Sequence, residues 1–155
     1  MTTLLSLDTS SHSTGYAVFH NGVFYKSGII DKSKSKKDDN LNDMIKSISE
    51  LMSAHRPQIV VAEEVDVFRN HQTTRKLCEL IGAVRGICLD RDIFFMEMTP
   101  NEWRSKLDML QKKLKRDDYK AIAKAYVKDN FGLDVDRDDE SDAICLGVAY
   151  CKLFE

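Results

Sequence analysis

Four acidic side chains are crowded into five residues near the C-terminal end of the chain, in the stretch RDDESDAICLGVAYCKLF. They are Asp138, Asp139, Glu140 and Asp142, and an apolar run follows them at once. Acidic residues favour helix N-termini, so one interpretation is a helix start with Asp139 as N-cap and Asp142 as its capping-box partner. The other is metal binding, because two carboxylates three residues apart lie on one side of the first helical turn and can reach a shared ion.

Two more acidic positions lie at the ends of apolar stretches that have the character of strands. Asp8 closes LLSLD, and Glu63 and Glu64 close IVVAEE. An acid at the end of a buried strand is costly unless it is paired or bound to a metal, although an Asx-type turn at Asp8 and an exposed strand end at Glu63 remain alternatives. Side chains alternate along a strand, so only one of Glu63 and Glu64 can point towards the end of the first strand. Acids at two strand ends and one helix start fit a Mg²⁺ site, because Mg²⁺ takes oxygen ligands and few protein carboxylates.

Hydrophobic periodicity predicts the elements that must position these acids. It indicates strands at 4–8, 15–19, 23–30, 58–65 and 93–98, with an Asn-Gly hairpin turn at residues 20–22. Helices are predicted at 41–52, 74–89, 99–107, 117–130 and 141–154, the third opened by a capping box at residues 99–102 and the fourth capped by Asp117. The order βββαβαβ followed by helices predicts an α/β fold, in which a five-stranded mixed sheet is flanked by helices. The first strand is expected at its centre, with the fourth beside it in parallel and ligands at their carboxyl ends.

The length and composition predict one soluble domain spanning residues 1–155, with 43% hydrophobic and 31% charged residues. No window approaches the roughly 18 apolar residues of a membrane span, so we expect no membrane association. The four cysteines form no CxxC pair. They are predicted to be reduced core residues of a cytoplasmic protein, and a zinc site is not expected.

The net charge of −2 hides an uneven distribution of charge. Residues 104–128 hold nine basic and three acidic side chains, whereas residues 129–142 hold seven acidic and one basic. A basic segment followed by an acidic one predicts an anion-binding surface beside a metal site, although a charged helix is more often simply a solvated face.

Four motifs, in order along nearly the whole chain, resemble the RuvC-type Holliday junction resolvases of the RNase H-like nuclease superfamily. They are LLSLDTSSHSTGYAVF, VVAEEV, LIGAVRG and DDESDAICLGVAY. The resemblance implies an RNase H-like fold and a catalytic, metal-binding tetrad at Asp8, Glu63, Asp139 and Asp142, with Lys120 as the catalytic lysine. It implies two Mg²⁺ ions per active site, for which Mn²⁺ can substitute and which lie about 3.5–4 Å apart in such centres. The compact form resembles a bacteriophage version of the cellular enzyme, which implies a location in the cytoplasm of the bacterial host cell.

The activity implied is a structure-selective endonuclease that resolves four-way DNA junctions, and other branched DNA, by paired nicks leaving 5′-phosphate and 3′-hydroxyl ends. The expected DNA-binding residues are Phe68, Arg69, Arg75, Lys76, Arg104, Lys112, Lys113, Lys115 and Arg116. The family often places an aromatic residue three positions after the strand-end glutamate, where it stacks on an unpaired base. This chain has Asp66 there, so either Phe68 is the substitute or the aromatic wedge is absent, and the sequence preference at the cut site is left open.

A homodimer is expected because a four-way junction has approximate two-fold symmetry and one chain holds residues for one acidic site. The helix at 74–89 is the predicted interface, with an apolar stripe wide enough for both the core and a partner. Two other functions stay open: an RNA-processing nuclease of the same superfamily, and a branched-DNA-binding module without activity. The full acidic tetrad argues against the RNA-processing nuclease, which would use fewer or differently spaced acids. It also argues against a binding module, which would not need acids at all three sites.

Overall fold

A computed structural model describes residues 1–36, 39–67 and 70–154. The strands are β1 (Thr3–Asp8), β2 (Ser13–His20), β3 (Val23–Asp31), β4 (Ile59–Glu63) and β5 (Phe94–Met98). The helices are α1 (Asn40–His55), α2 (His71–Asp90), α3 (Pro100–Lys106), α4 (Arg116–Phe131) and α5 (Asp138–Cys151).

The strands form one mixed sheet in the order β3-β2-β1-β4-β5. β1 pairs antiparallel with β2 and parallel with β4, which confirms the predicted central position of the first strand. The β2–β3 hairpin turns at Asn21 and Gly22, whose φ angles of 51° and 79° are the positive values that an Asn-Gly turn permits. The carboxyl ends of β1 and β4 therefore lie side by side at one edge of the sheet.

Two apolar layers cover the two faces of this sheet, as alternation along the strands requires. Leu5 and Leu7 of β1 pack in one layer with α1 and α2, whereas Leu4 packs in the other with α3, α4 and α5. α5 is buried on nearly every side, because the sheet lies under it and α3 and α4 pack on it. This burial explains why its sequence is apolar throughout after its acidic first turn.

Several predicted boundaries were wrong. α5 starts at Asp138 rather than residue 141 and ends at Cys151 rather than 154, and its N-cap is Arg137, so Asp139 is not an N-cap. α4 has Lys115 as N-cap in place of Asp117, and the Lys115 amide donates to Asp118 Oδ2 at 2.8 Å.

Two other elements also differ from their predicted bounds, by two or three residues. α2 starts three residues before the predicted position, because the Asn70 side chain accepts hydrogen bonds from the amides of Gln72 and Thr73. β4 ends at Glu63 instead of residue 65. The capping box of α3 is confirmed: Glu102 N donates to Thr99 Oγ1 at 3.1 Å, and Thr99 N donates to Glu102 Oε2 at 2.6 Å.

The cysteines are all free, but Cys78 is exposed, so the prediction that all four are core residues was wrong at this position. Among the residues that the structure describes, no helix is long and apolar enough to span a membrane.

Candidate active site

The acidic side chains meet because strand alternation points two of them at α5. Along β1, Asp8 lies on the same face of the sheet as Leu4, and along β4, Glu63 lies on the same face as Val61. Leu4 and Val61 both belong to the apolar layer beneath α5. Glu64 lies beyond the end of β4 and is exposed. Of the two adjacent glutamates, Glu63 is therefore the one that shares a face with Asp8.

The first turn of α5 is fixed over β2 by a contact that requires glycine. A Cβ atom at Gly15 would lie only 1.8 Å from the carbonyl oxygen of Asp139. Gly15 pairs with Asp8 across the β1–β2 ladder, so the same contact brings the start of α5 beside the end of β1. Farther along the helix, Ser6 Oγ donates to the carbonyl oxygen of Ala143 at 2.6 Å and holds α5 on the central strand.

All five predicted catalytic residues line one cleft of about 1270 Å³. These are Asp8, Glu63, Lys120, Asp139 and Asp142. β1 and β4 supply the first two, α4 supplies the lysine and α5 supplies the last two. The sequence placed them at separate positions of the chain, and the fold brings them to one edge of the sheet.

Burial and mutual repulsion leave these carboxylates poorly compensated. Burial raises the pKa of Asp8 well above its usual value, and the charges of Glu63, Asp142 and Asp139 raise it further. Burial, followed by the charge of Glu63, raises the pKa of Asp142 to about 7. A cluster of carboxylates that resist ionisation next to one another is the environment in which a bound cation is most strongly stabilising.

Glu63 has a hydrogen-bond donor from the core. Trp103 is fully buried, and its Nε1–H donates to Glu63 Oε2 at 2.7 Å. Burial raises the pKa of Glu63, and this hydrogen bond, followed by the charge of Arg104, opposes the shift. The indole therefore fixes one carboxylate oxygen and favours the ionised form that binds cations.

The residues fit a divalent cation by the chemistry of their donors. Hard cations prefer carboxylate oxygens. The four predicted ligand carboxylates reach the cleft from three elements, β1, β4 and α5. Among the described residues, however, no three acidic, histidine or cysteine side chains already converge on one metal-sized position. Asp139 in particular accepts a hydrogen bond from Ser13 Oγ at 2.9 Å.

The remaining acids of the DDESD stretch have other partners. Asp138 forms ion pairs with Lys120 Nζ at 2.7 Å and Lys124 Nζ at 3.2 Å. Glu140 accepts from Ser27 Oγ at 2.7 Å, outside the acidic cluster. The four acids at this helix start thus serve two purposes. Asp139 and Asp142 face the cleft with Asp8 and Glu63, whereas Asp138, at the cleft wall, ties α5 to α4 and Glu140 ties it to β3.

Basic side chains border the acids. Lys120 keeps its charge, since the hydrogen bond to Asp138 raises the pKa of the lysine. The guanidinium of Arg104 lies between two rings, with its Cζ 5.0 Å from the Trp103 centroid and 4.4 Å from the Tyr119 centroid. Its Nε–H is buried and has no hydrogen-bond partner among the described residues. Arg104 is thus held beside Glu63 and Asp142 by aromatic contacts rather than by an ion pair.

The predicted DNA-binding residues fall into three groups. Lys76, Arg104 and Arg116 line the cleft, whereas Lys112, Lys113 and Lys115 are exposed on the segment that leads into α4. Arg75 lies on the surface of α2 and pairs with Glu79 at 2.9 Å. Phe68 and Arg69 lie outside the described residues.

Sequence reasoning missed Trp103 and Ser13. Trp103 contacts Glu63, which is 40 residues away along the chain, and Ser13 contacts Asp139, which is 126 residues away. Trp103 had one usable signal, because the capping box fixes the start of α3 and so the helical face on which the only tryptophan lies. Ser13 had none, since it follows three other hydroxyl residues of the same loop.

The position of Trp103 predicts a spectroscopic response to cations. Because its N–H donates to Glu63, a cation bound by Glu63 should change the emission of this single tryptophan. We expect Mn²⁺, which is paramagnetic, to quench the emission in a saturable titration, and Glu63→Gln to abolish the saturable part. Emission that does not respond at concentrations supporting cleavage would separate Glu63 from the cation site.

The comparisons with known proteins agree with this geometry. Residues 4–150 match the family model described as Crossover junction endodeoxyribonuclease RuvC. The RuvC protein of Alkalilimnicola ehrlichii is 31% identical over 111 residues, which cover 69% of this chain and 67% of that protein. The RuvC protein of Hydrogenovibrio crunogenus is 25% identical over 108 residues, covering 67% of this chain and 63% of its own length. The matched stretches therefore span about two thirds of these relatives.

Solved structures show the same fold. Thermus thermophilus RuvC in complex with a Holliday junction substrate superposes with a TM-score of 0.80 at 14% identity, covering 99% of this chain and 95% of that one. The yeast mitochondrial Holliday junction resolvase superposes with a TM-score of 0.67 at 12% identity, covering 96% and 77%. The predicted RNase H-like fold is confirmed. Because the family model matches nearly the whole of this chain, residues 4–150 of 155, the chain belongs to the RuvC family of crossover junction endodeoxyribonucleases.

Proposed function

We propose that this chain is a divalent-metal-dependent endonuclease that resolves four-way DNA junctions by paired nicks. The observation that carries the proposal is the gathering of Asp8, Glu63, Asp139 and Asp142 in one cleft bordered by Lys120. Family membership supports this activity, and the T. thermophilus relative is described in complex with a Holliday junction substrate. The same sheet and helices support a single nuclease domain over residues 1–155.

The ion proposed is Mg²⁺, with two ions per active site and Mn²⁺ as a substitute. Asp8 is proposed as the shared ligand, because it is the carboxylate whose pKa is raised by the charges of the other three. Glu63, Asp139 and Asp142 complete the set. When bound, the ions supply an activated water and stabilise the leaving oxygen of the phosphodiester.

The side chains bordering the acids bind and orient the scissile phosphate. Lys120 carries its charge into the cleft, and the phosphate competes with Asp138 for it. Arg104 is already ordered by Trp103 and Tyr119, so little side-chain entropy is lost when it contacts a phosphate. Positively charged side chains that are already ordered where negative charge accumulates lower the reaction barrier more than mobile ones do.

DNA outside the cleft is held by the exposed basic side chains before α4. Lys112, Lys113, Lys115 and Arg116 lie within five residues of one another and contribute phosphate contacts that carry little base information. Lys76 extends this surface along the cleft wall. Arg75 contributes less, because Glu79 already pairs with it. Binding of this kind weakens steeply with salt.

The RNA-processing and non-catalytic alternatives are less well supported. Repelling carboxylates are costly to hold together, and the pKa of Asp8 and of Asp142 is raised for that reason. A binding module would gain nothing from this cost, and the acids would repel the DNA backbone. The family model names DNA as the substrate rather than RNA. A cytoplasmic location and a bacteriophage origin stay predictions from the sequence.

A homodimer is part of the proposal, with α2 as the proposed interface. Leu80, Ile81, Val84 and Cys88 of α2 are buried in the layer that this helix forms with α1 and the sheet, so these four positions of the stripe serve the chain's own core. A charged residue at Leu80 would unfold the chain rather than yield a folded monomer. Gly82, Gly86 and Leu89 are exposed on α2, and this exposed side of the helix is the proposed contact with a second copy.

The experiment that tests the proposal uses a supercoiled plasmid with an extruded cruciform. Two active sites acting in one binding event linearise the plasmid directly, whereas independent single nicks first accumulate an open circle. We expect direct linearisation in Mg²⁺ and resealing by DNA ligase, which needs 5′-phosphate and 3′-hydroxyl ends. Accumulation of an open circle that ligase cannot seal would contradict the paired-nick proposal, and a plasmid without a cruciform is the control.

A further inference from the structure

Asp139 is linked to the sheet by a chain of polar contacts that includes no other member of the acidic cluster. Ser13 Oγ donates to Asp139 Oδ2 at 2.9 Å. Arg137 Nη2 in turn donates to Ser13 Oγ at 2.6 Å and lies 3.8 Å from Asp139 Oδ2. Arg137 Nη1 reaches Asp31 Oδ2 at 3.4 Å. The contacts run Asp31–Arg137–Ser13–Asp139, from the edge of the sheet to the wall of the cleft.

Both ends of this chain of contacts are fixed by secondary structure. Ser13 begins β2 and pairs with Asp31, the last residue of β3, so the sheet sets their separation. Ser13 is only 7% exposed, which leaves its hydroxyl few other partners. Arg137 is the N-cap of α5, and Asp139 lies two residues after it. The network therefore ties the first turn of α5 to the start of β2.

The direction of the hydrogen bonds determines what the network can do. A serine hydroxyl has one proton and two acceptor lone pairs. Because Oγ accepts from the guanidinium, its proton is committed to Asp139 Oδ2. Asp139 is thus held through one oxygen, and its second oxygen is left for a cation. A carboxylate held in this way loses less rotational freedom when it coordinates a metal, and partners of this kind often change metal affinity 10–100-fold.

We propose that Ser13 is a positioning residue for Asp139 and that Arg137, anchored on Asp31, sets the orientation of the Ser13 hydroxyl. The inference rests on the proposed function, because it assigns Ser13 a role only if the acidic cluster binds a divalent cation. The positive charge of Arg137 has an opposing effect on a nearby cation, so Arg137 variants combine two effects. Ser13 is neutral and gives the cleaner test.

The chain supplies a matched control one residue along α5. Ser27 Oγ donates to Glu140 Oε1 at 2.7 Å, which is again a serine of the β2–β3 hairpin bonded to an acid of the same helical turn. Glu140 is not among the residues that line the cleft. Ser13→Ala and Ser27→Ala remove the same hydroxyl and the same type of hydrogen bond, and only the first removes a contact to a proposed ligand.

The test measures Mn²⁺ affinity without DNA, by electron paramagnetic resonance of the free ion, on wild type, Ser13→Ala, Ser27→Ala and Asp8→Asn, with thermal melting to confirm folding. We expect Ser13→Ala to weaken Mn²⁺ binding about tenfold, the lower end of such effects, and Ser27→Ala to leave it within about twofold. Cleavage by Ser13→Ala should be slow at limiting Mn²⁺ and recover at saturating Mn²⁺, which loss of structure would not allow.

Wild-type affinity in Ser13→Ala, or equal weakening in both serine variants, would overturn the positioning role. If Asp8→Asn loses Mn²⁺ in the same experiment, the metal centre itself stands and only the role of Ser13 fails. If Asp8→Asn binds Mn²⁺ as wild type does, the proposed function fails with it.

Discussion

Asp8→Asn is expected to lower junction cleavage by about 10³-fold or more while leaving the chain folded. The substitution keeps the size of the side chain but removes the charge proposed to be shared between the ions. Metal ions in such centres contribute several kcal/mol to transition-state stabilisation, and about 1.36 kcal/mol corresponds to a factor of ten in rate. Junction affinity should hold or rise, because one repulsive charge facing the DNA backbone is lost. Single-turnover cleavage and a gel-shift titration measure the two quantities separately.

Stability provides an independent check on the same variant. Burial and neighbouring acids raise the pKa of Asp8 in the folded chain above its unfolded value, so its ionised form costs stability as the pH rises above that unfolded value. Asparagine carries no such cost, so in EDTA at neutral pH the variant should melt no lower than wild type. Glu64→Gln is the matched control, since it neutralises an exposed acid next to Glu63 and should retain cleavage. Near wild-type cleavage by Asp8→Asn would remove Asp8 from the centre.

Gly15→Ala should destabilise the chain and impair cleavage together. Its Cβ would lie 1.8 Å from the carbonyl oxygen and 2.1 Å from the carbonyl carbon of Asp139, both of which are backbone atoms and cannot rotate away. The start of α5 would have to move off β2, and Asp139 and Asp142 would move with it. We expect a loss of about 3 kcal/mol in the free energy of unfolding, the upper part of the range for overpacking, with cleavage reduced about 100-fold or more.

Gly82→Ala is the control for this substitution. Gly82 lies on the exposed side of α2 with no described atom within 4 Å of its would-be Cβ, so alanine should add about 0.5–1 kcal/mol to the free energy of unfolding through helix propensity. Chemical denaturation of both variants measures the difference. A Gly15→Ala chain as stable and as active as wild type would mean that the register of α5 on β2 does not set the site.

The sheet and the placing of the acids could be predicted because both follow from local rules. Apolar runs that stop at Asp8 and at Glu63 identify the carboxyl ends of two strands, and alternation selects Glu63 over Glu64. The order of elements then places these ends side by side. Interpretation of DESD, residues 139–142, as two carboxylates on one side of a first helical turn needed no tertiary information.

The start of α5 was not predictable in the same way. Its N-cap is an arginine, and no side-chain hydrogen bond caps it. The helix begins early because tertiary contacts hold its first turn, through Gly15 below it and through Asp138 with Lys120 beside it. Capping rules describe a helix end that must satisfy its own amides, and they fail where the rest of the fold supplies the contacts.

The α2 stripe shows a second limit. Its periodicity identified the buried positions, but an apolar stripe has the same pattern whether the chain's own sheet or a second subunit covers it. Leu80 and Val84 are fully buried within the chain, so the core accounts for these two positions, whereas Leu89 on the same helix is exposed. Contacts such as Trp103 with Glu63 depend on how α3 lies against β4, which no local pattern in the sequence specifies.

The most direct measurement of the central claim is cleavage of an end-labelled four-way junction with EDTA, Ca²⁺ or Mg²⁺, in the presence of excess linear duplex of the same sequence. With Mg²⁺ we expect symmetric nicks in two opposing strands, and in EDTA we expect no cleavage. With Ca²⁺ we expect junction binding without cleavage, because the longer and looser coordination of Ca²⁺ misaligns the reacting groups. Full cleavage in EDTA, or equal cutting of junction and duplex in Mg²⁺, would contradict the central claim.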